Sequence, residues 1–154
     1  SDGATIALLH ASRHEVAACI AIAPHVFVEP MSLSAIDKAR QLYEAAPDAP
    51  DGLRQRLARH HRDVDNAFWQ WNDVWLSEAF RRFDIREELR TLSAPLLLVQ
   101  GIDDEYGSMD QLDAIQCSVP QASRVELAHC GHSPHRDQPD RLLAAVRSFL
   151  ADVK

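Results

Sequence analysis

Two apolar runs constrain this chain more than any other feature. Val16 to Ala23 reads Val-Ala-Ala-Cys-Ile-Ala-Ile-Ala between Glu15 and Pro24, and Leu96 to Gln100 reads Leu-Leu-Leu-Val-Gln after Pro95. A strand with one face in water alternates apolar and polar residues, whereas a continuous run of this length suits a strand covered on both faces, as in a parallel sheet. Arg124 to Ala128 gives a shorter version. Helical text surrounds these runs. Ala4 to Arg13 reads as a helix rich in small residues, with Gly3 permitting a tight turn into it. Met109 to Ser118 is a second helix, closed by Pro120. Pro139 to Val153 is a third, with Leu142, Leu143, Val146, Phe149 and Leu150 at helical spacing and Pro early in its first turn.

The middle of the chain differs in kind. From Met31 to about Leu89 the text is helical, charged and aromatic, broken by Pro47, Pro50 and Gly52, with no strand signal and no repeat. The simplest organisation is an α/β core interrupted by a helical insertion: residues 1–30 as a first core segment, 31–89 as a helical cap, 90–154 as the returning core. At 154 residues the chain suffices for one domain with a buried core. A net charge of −7 argues against a nucleic-acid partner, which needs a basic face. No apolar run approaches a membrane span, and no secretory signal is recognisable. Cys19, Cys117 and Cys130 are odd in number and widely spaced, which suits reduced thiols and predicts a cytoplasmic protein.

Three segments carry chemistry. Ser1-Asp2-Gly3 reads as the last three positions of a Gly-x-Ser-x-Gly elbow, followed at once by the small-residue helix. Gly101-Ile-Asp-Asp-Glu-Tyr-Gly107 follows the strand run, and Cys130-Gly-His-Ser-Pro-His135 follows the shorter one. Serine, acid, histidine is a chain order known for nucleophilic triads. Serine hydrolysis needs an exposed hydroxyl, a base, an acid that orients the base, and donors for the oxyanion. Ser1 is the candidate nucleophile and the backbone N–H of Asp2 a candidate oxyanion donor. Asp104 is the candidate acid, at the carboxyl end of a buried strand, with Asp103 and Glu105 as neighbouring rivals. His132 is the candidate base. His129, Cys130, His132, His135 and Asp137 also allow a metal cluster, but their spacing matches no standard zinc pattern. His10, His14, His25, His60 and His61 read as structural or exposed. Phe27 and Tyr106, on loops after strands, and Trp69 and Trp71, in the aromatic stretch, are candidate substrate contacts, although packing is the default for aromatics at helical spacing.

With these residues in view the chain resembles the C-terminal portion of an α/β-hydrolase of the esterase and lipase-like superfamily, carried by residues 1–11, 96–107 and 130–139. The Ser-Asp-Gly form of the elbow is similar to that of valacyclovir-hydrolase-like enzymes. The resemblance implies about three parallel strands with flanking helices and a helical cap at 31–89. It implies Ser1 as nucleophile, Asp104 as acid and His132 as base, with no metal or organic cofactor. It also implies that the Gly-x start of the elbow, the preceding strands and a second oxyanion donor belong to sequence ahead of Ser1. The edge of the Val16 to Ala23 strand is then uncovered, which predicts self-association. The expected activity is hydrolysis of a carboxylic ester or related acyl bond of a small hydrophobic substrate, with carbon–carbon bond hydrolysis open. Dehalogenation is disfavoured because Ser1 stands where a carboxylate is needed. The alternative is a non-catalytic, self-associating α/β fragment.

Overall fold

The computed structural model describes residues 1–45 and 47–153. Two compact units emerge, one of Ser1–Phe27 with Asp84–Lys154 and one of Val28–Phe83. In chain order the elements are α1 (Asp2–Arg13), β1 (Cys19–Ile22), α2 (Pro30–Ala45), α3 (Leu53–Ala58), α4 (Val64–Leu76), 3-10 turns at Phe80–Arg82 and Glu88–Thr91, β2 (Leu96–Gly101), α5 (Asp110–Ser118), β3 (Ser123–Leu127), α6 (Pro134–Asp137) and α7 (Pro139–Asp152).

The first unit is built on a parallel sheet in the order β1-β2-β3. Cys19 to Ile22 pair with Leu96 to Val99, and Leu97 to Gly101 pair with Ser123 to Leu127. Every residue of β2 is buried, as its unbroken apolar run requires of a central strand. Leu97 and Val99 face one side, where they pack with Leu127, Cys130 and Leu142 and with the half-buried Val146 and Phe149 of α7. Leu96, Leu98 and Gln100 point the opposite way and are equally buried. Each fully buried leucine contributes about 1.5–3 kcal/mol relative to exposure.

Three expectations shift. The run from Val16 predicts a long strand covered on both faces, yet only Cys19–Ile22 pairs, and burial alternates along it. As the resemblance implies, the strand lies at the edge of the described three-stranded sheet, beside β2. In α7 the inward line is Leu142, Val146 and Phe149, while Leu143 and Leu150 are about half exposed. One sheet face can bury only one stripe of the helix. Gly3 does not serve a glycine-dependent turn. It lies inside α1, has no positive φ, and a Cβ there would meet nothing within 4 Å.

The second unit is helical. Asp63 caps α4 by accepting from the Asn66 N–H at 3.1 Å, and Val64, Phe68, Asn72 and Trp75 form its buried stripe. Tyr43 of α2 stacks on Phe68 with ring centroids 3.8 Å apart. The hydroxyl of Tyr43 donates to Asp65 at 2.6 Å, and Arg54 donates to both oxygens of the same carboxylate. The Arg54 guanidinium and then the Tyr43 hydroxyl hold Asp65 down to about 2. Burial, then the Asp65 contact, pushes Tyr43 up to about 12. The unit ends at Phe83, short of the Leu89 boundary suggested by composition. Residues 84–89 belong to the sheet unit because Asp84 bridges Phe27, the Ile85 N–H donates to the Val26 carbonyl at 2.8 Å, and Leu89 is fully buried.

Candidate active site

The site gathers where the three parallel strands end. β2 finishes at Gly101, and the following loop carries Asp104. β3 finishes at Leu127, and its loop carries His132. Loops at the carboxyl ends of parallel strands are brought side by side by the sheet itself, however far apart they lie in sequence. Gly101 makes the close approach possible. A Cβ at this position would stand 2.1 Å from the Cys130 carbonyl oxygen and 2.4 Å from that of Gly131. Only glycine lets the histidine loop cross so near to the end of β2. The two loops are then stitched together. Ile102 N–H donates to the Leu127 carbonyl and Asp103 N–H to the Cys130 carbonyl, both at 2.9 Å.

The result is a carboxylate–imidazole pair. His132 Nδ1 lies 2.9 Å from both Oδ1 and Oδ2 of Asp104. The Asp104 side chain is 1% exposed and that of His132 18%. A carboxylate only accepts, so in a neutral imidazole the tautomer that fits this contact carries its proton on Nδ1. This is the tautomer of a general base. Tyr106 N–H donates to Asp104 Oδ1 at 2.9 Å, which leaves the carboxylate doubly held. Asp103 and Glu105, the rival acids, are exposed. The Tyr106 ring lies 4.9 Å from the His132 ring, and burial followed by the charges of Glu105 and Asp104 raises its phenol above the usual value.

Ser1 lies at the same end of the sheet. Its nitrogen donates to the Ile22 carbonyl at 2.9 Å and to that of Ala23, where β1 finishes. Ser1 occupies the N-cap of α1, but its hydroxyl makes no capping bond. The first helical bonds to its carbonyl come from Ala4 and Thr5, so the N–H groups of Asp2 and Gly3 stand ahead of the helix ladder, at the positive end of the helix dipole.

The other candidates fall into different settings. Phe27 is half-buried, bridges Asp84, and has the Arg86 guanidinium 5.1 Å from its ring. Trp69 and Trp71 belong to the helical unit, each lying edge-on to Phe68. The possible metal ligands of the histidine loop do not converge. Cys130 is buried with its thiol raised chiefly by burial, Asp137 accepts from the Gly131 N–H at 2.9 Å, and His129 and His135 are exposed. No group of three or more such side chains among the described residues has metal-holding geometry.

Three residues of this region escape a reading of sequence. His25 is 3% exposed, with its ring centroid 5.8 Å from that of His132. Its position just past a buried strand was the available signal. Gln111 is fully buried and ties the loop after β1 to α5, accepting from the Val26 N–H at 2.8 Å and donating to the Phe27 carbonyl at 3.1 Å. Gln100 is fully buried beside the acid loop. Glutamines inside apolar or amphipathic text carry no signal by themselves.

A parallel α/β sheet with an acid and a histidine on successive carboxyl-end loops is the arrangement of a hydrolase class that places its catalytic groups on such loops. The sequence model of the alpha/beta hydrolase family matches residues 1–145, and the chain belongs to that family. Among curated relatives, it is 34% identical over 61 residues to a pimeloyl-[acyl-carrier protein] methyl ester esterase of Nitrosomonas europaea, covering 40% of this chain and 24% of the relative. It is 29% identical over 102 residues to the esterase YbfF of Escherichia coli, covering 66% and 39% respectively. The matches thus span about a quarter to two fifths of these relatives' lengths. Among solved structures, the carbazole-degradation serine hydrolase CarC superposes with a TM-score of 0.71 at 18% identity, over 98% of this chain and 61% of that one. At that identity the likeness is one of fold. No helix among the described residues is long and apolar enough to cross a membrane.

Proposed function

We propose that this chain carries the catalytic side chains of a serine hydrolase acting on a carboxylic ester, or a related acyl bond, of a small hydrophobic substrate. The observation that carries the reading is the Asp104–His132 pair, with a buried acid and a half-buried base on adjacent strand-end loops. The esterase names of the curated relatives support it. Ser1 Oγ attacks the substrate carbonyl carbon as His132 Nε2 takes the hydroxyl proton. Asp104 holds the imidazole and stabilises its charged form. The oxyanion draws on the backbone N–H of Asp2 at the head of α1. Collapse expels the alcohol, which takes the proton from His132. Water, deprotonated by His132, then frees the acid and restores Ser1. Tyr106 and Phe27 are proposed substrate contacts, and the chemistry calls on no cofactor. Free thiols at Cys19, Cys117 and Cys130 suit the cytoplasmic residence that belongs to the same proposal. Intact-mass spectrometry after a fluorophosphonate probe tests the reading. A single adduct that is absent in Ser1→Ala and slow to form in His132→Ala is the expected result, and an unlabelled, folded chain would refute it.

A second reading, a self-associating non-catalytic chain, draws on one observation. β1 pairs only with β2 among the described residues, and Ile6 of α1, beside it, is 67% exposed. An open apolar strand edge recruits another strand. Light scattering across a concentration series should show dimers or larger species, and a monomer throughout would end this reading.

A further inference from the structure

We propose that Gln100 is a positioning residue for the acid of this site: its carboxamide closes the loop that carries Asp104 and thereby sets the Asp104–His132 contact. The proposal rests on the reading of Asp104 and His132 as acid and base. Gln100 is the penultimate residue of β2 and is fully buried. Its Nε2 lies 2.6 Å from the Gly107 carbonyl oxygen and 3.1 Å from that of Ser108. An amide nitrogen has two N–H groups, and both are committed here. The partners also fix the orientation, since a flipped amide would set oxygen against two oxygens.

The opposite end of the group shows what this arrangement costs. Gln100 Oε1 is buried, and no donor among the described residues reaches it. Burying an acceptor without a partner is unfavourable, and such groups are rare. An apolar side chain in this place would avoid the penalty, as Leu96, Leu97, Leu98 and Val99 do along the same strand. Departures from ordinary core chemistry of this kind concentrate at functional sites. What Gln100 gains is a hold on the return of the loop. The outgoing end is tied to the histidine loop through Ile102 and Asp103. The returning end, at Gly107 and Ser108, is tied to Gln100. Between the two holds sit Asp104 and Tyr106. Tyr106 bonds Asp104 through its N–H and lies against the His132 ring. Gly107 in turn backs onto His25, whose Cε1 would be 3.1 Å from a Cβ at residue 107. Releasing the clamp therefore frees the carboxylate and one wall of the imidazole together.

The test uses Gln100→Leu and Gln100→Met, which keep the volume and remove both donors. Three quantities are read: the thermal transition, the far-downfield proton resonance of His132 Nδ1 bonded to Asp104, and the rate of fluorophosphonate labelling. The expected outcome is a cooperative transition, a lost or exchange-broadened Nδ1 resonance, and labelling slowed roughly 10- to 100-fold, as for a misplaced catalytic group. Variants that keep the parent resonance and rate overturn the proposal, even if their melting temperature falls. Failure of both variants to fold assigns Gln100 to folding and overturns it as well. A parent chain without the resonance removes the pair and the clamp together. A parent chain that shows the resonance, loses it on substitution, and is never labelled leaves the clamp standing and removes the serine-hydrolase reading instead.

Discussion

Gly101 is where the fold and the site depend on the same atom count. In Gly101→Ala the new Cβ would lie 2.1 Å from the Cys130 carbonyl oxygen, 2.4 Å from that of Gly131 and 2.6 Å from the Cys130 carbonyl carbon. All three are backbone atoms, so no rotamer change relieves the clash. Ordinary contact begins near 3.4 Å, so the histidine loop must retreat by roughly 1 Å. Overpacking a tight site costs about 1–3 kcal/mol. The retreat also strains the hydrogen bond from Asp103 N–H to the Cys130 carbonyl, 2.9 Å long in the parent, whose loss costs about 1 kcal/mol more. We expect a total near 3 kcal/mol, read as a lower urea midpoint at an unchanged m-value. The same displacement pulls His132 away from Asp104. Fluorophosphonate labelling of Ser1 should slow by about 100-fold in the fraction that remains folded. A Gly101→Ala chain with the parent's midpoint and labelling rate would mean that the two loops do not cross at this distance.

Other outcomes follow from individual contacts. Asp104→Asn keeps the shape of the acid but no longer fixes the His132 tautomer; labelling of Ser1 should fall by roughly 10³- to 10⁴-fold with the melting profile near that of the parent. His132→Ala combined with Asp104→Asn should be little slower than His132→Ala alone, since the two side chains act as one unit in the labelling assay. Phe68→Ala removes a ring that is 3% exposed and stacked on Tyr43, and should cost the helical unit about 3–5 kcal/mol, visible as a shift in tryptophan emission on unfolding because Trp69 and Trp71 flank the site. Asp65, held near 2 against an ordinary value of 3.8, stabilises the fold fully above the ordinary value and loses that contribution as pH falls toward 2. The difference in urea midpoint between the parent and Asp65→Asn should therefore be constant near neutrality and shrink in acid. A gap that widens in acid would contradict the assignment.

The resemblance names Ser1, Asp104 and His132 because each sits in a short segment whose residue types and chain order carry meaning locally. Leu96 to Gln100 is legible as a central strand for the same reason: five buried positions in a row need five residues that tolerate burial. Other features are set by neighbours that the local text does not encode. The length of β1 depends on how many residues of β2 lie opposite, which begins at Cys19 rather than Val16. The burial of Leu143 and Leu150 depends on which side of α7 the sheet occupies. His25 reads as one more histidine until the end of β1 is laid beside the loop of His132.

Legible in the text alone are the parallel α/β architecture, the interruption by a helical segment and three candidate groups in order. Those follow from periodicity, residue chemistry and chain order, which are local properties. The contact of Asp104 with His132, the glycine at which two loops cross, and the buried glutamines that tie the strand-end loops in place exist only in the tertiary structure. Such features arise from contacts between residues such as Gly101 and Cys130, or Val26 and Gln111, far apart in the chain. Their geometry exists only once the sheet has aligned its strands, because hydrogen-bond and packing energies depend on distances that sequence separation does not specify.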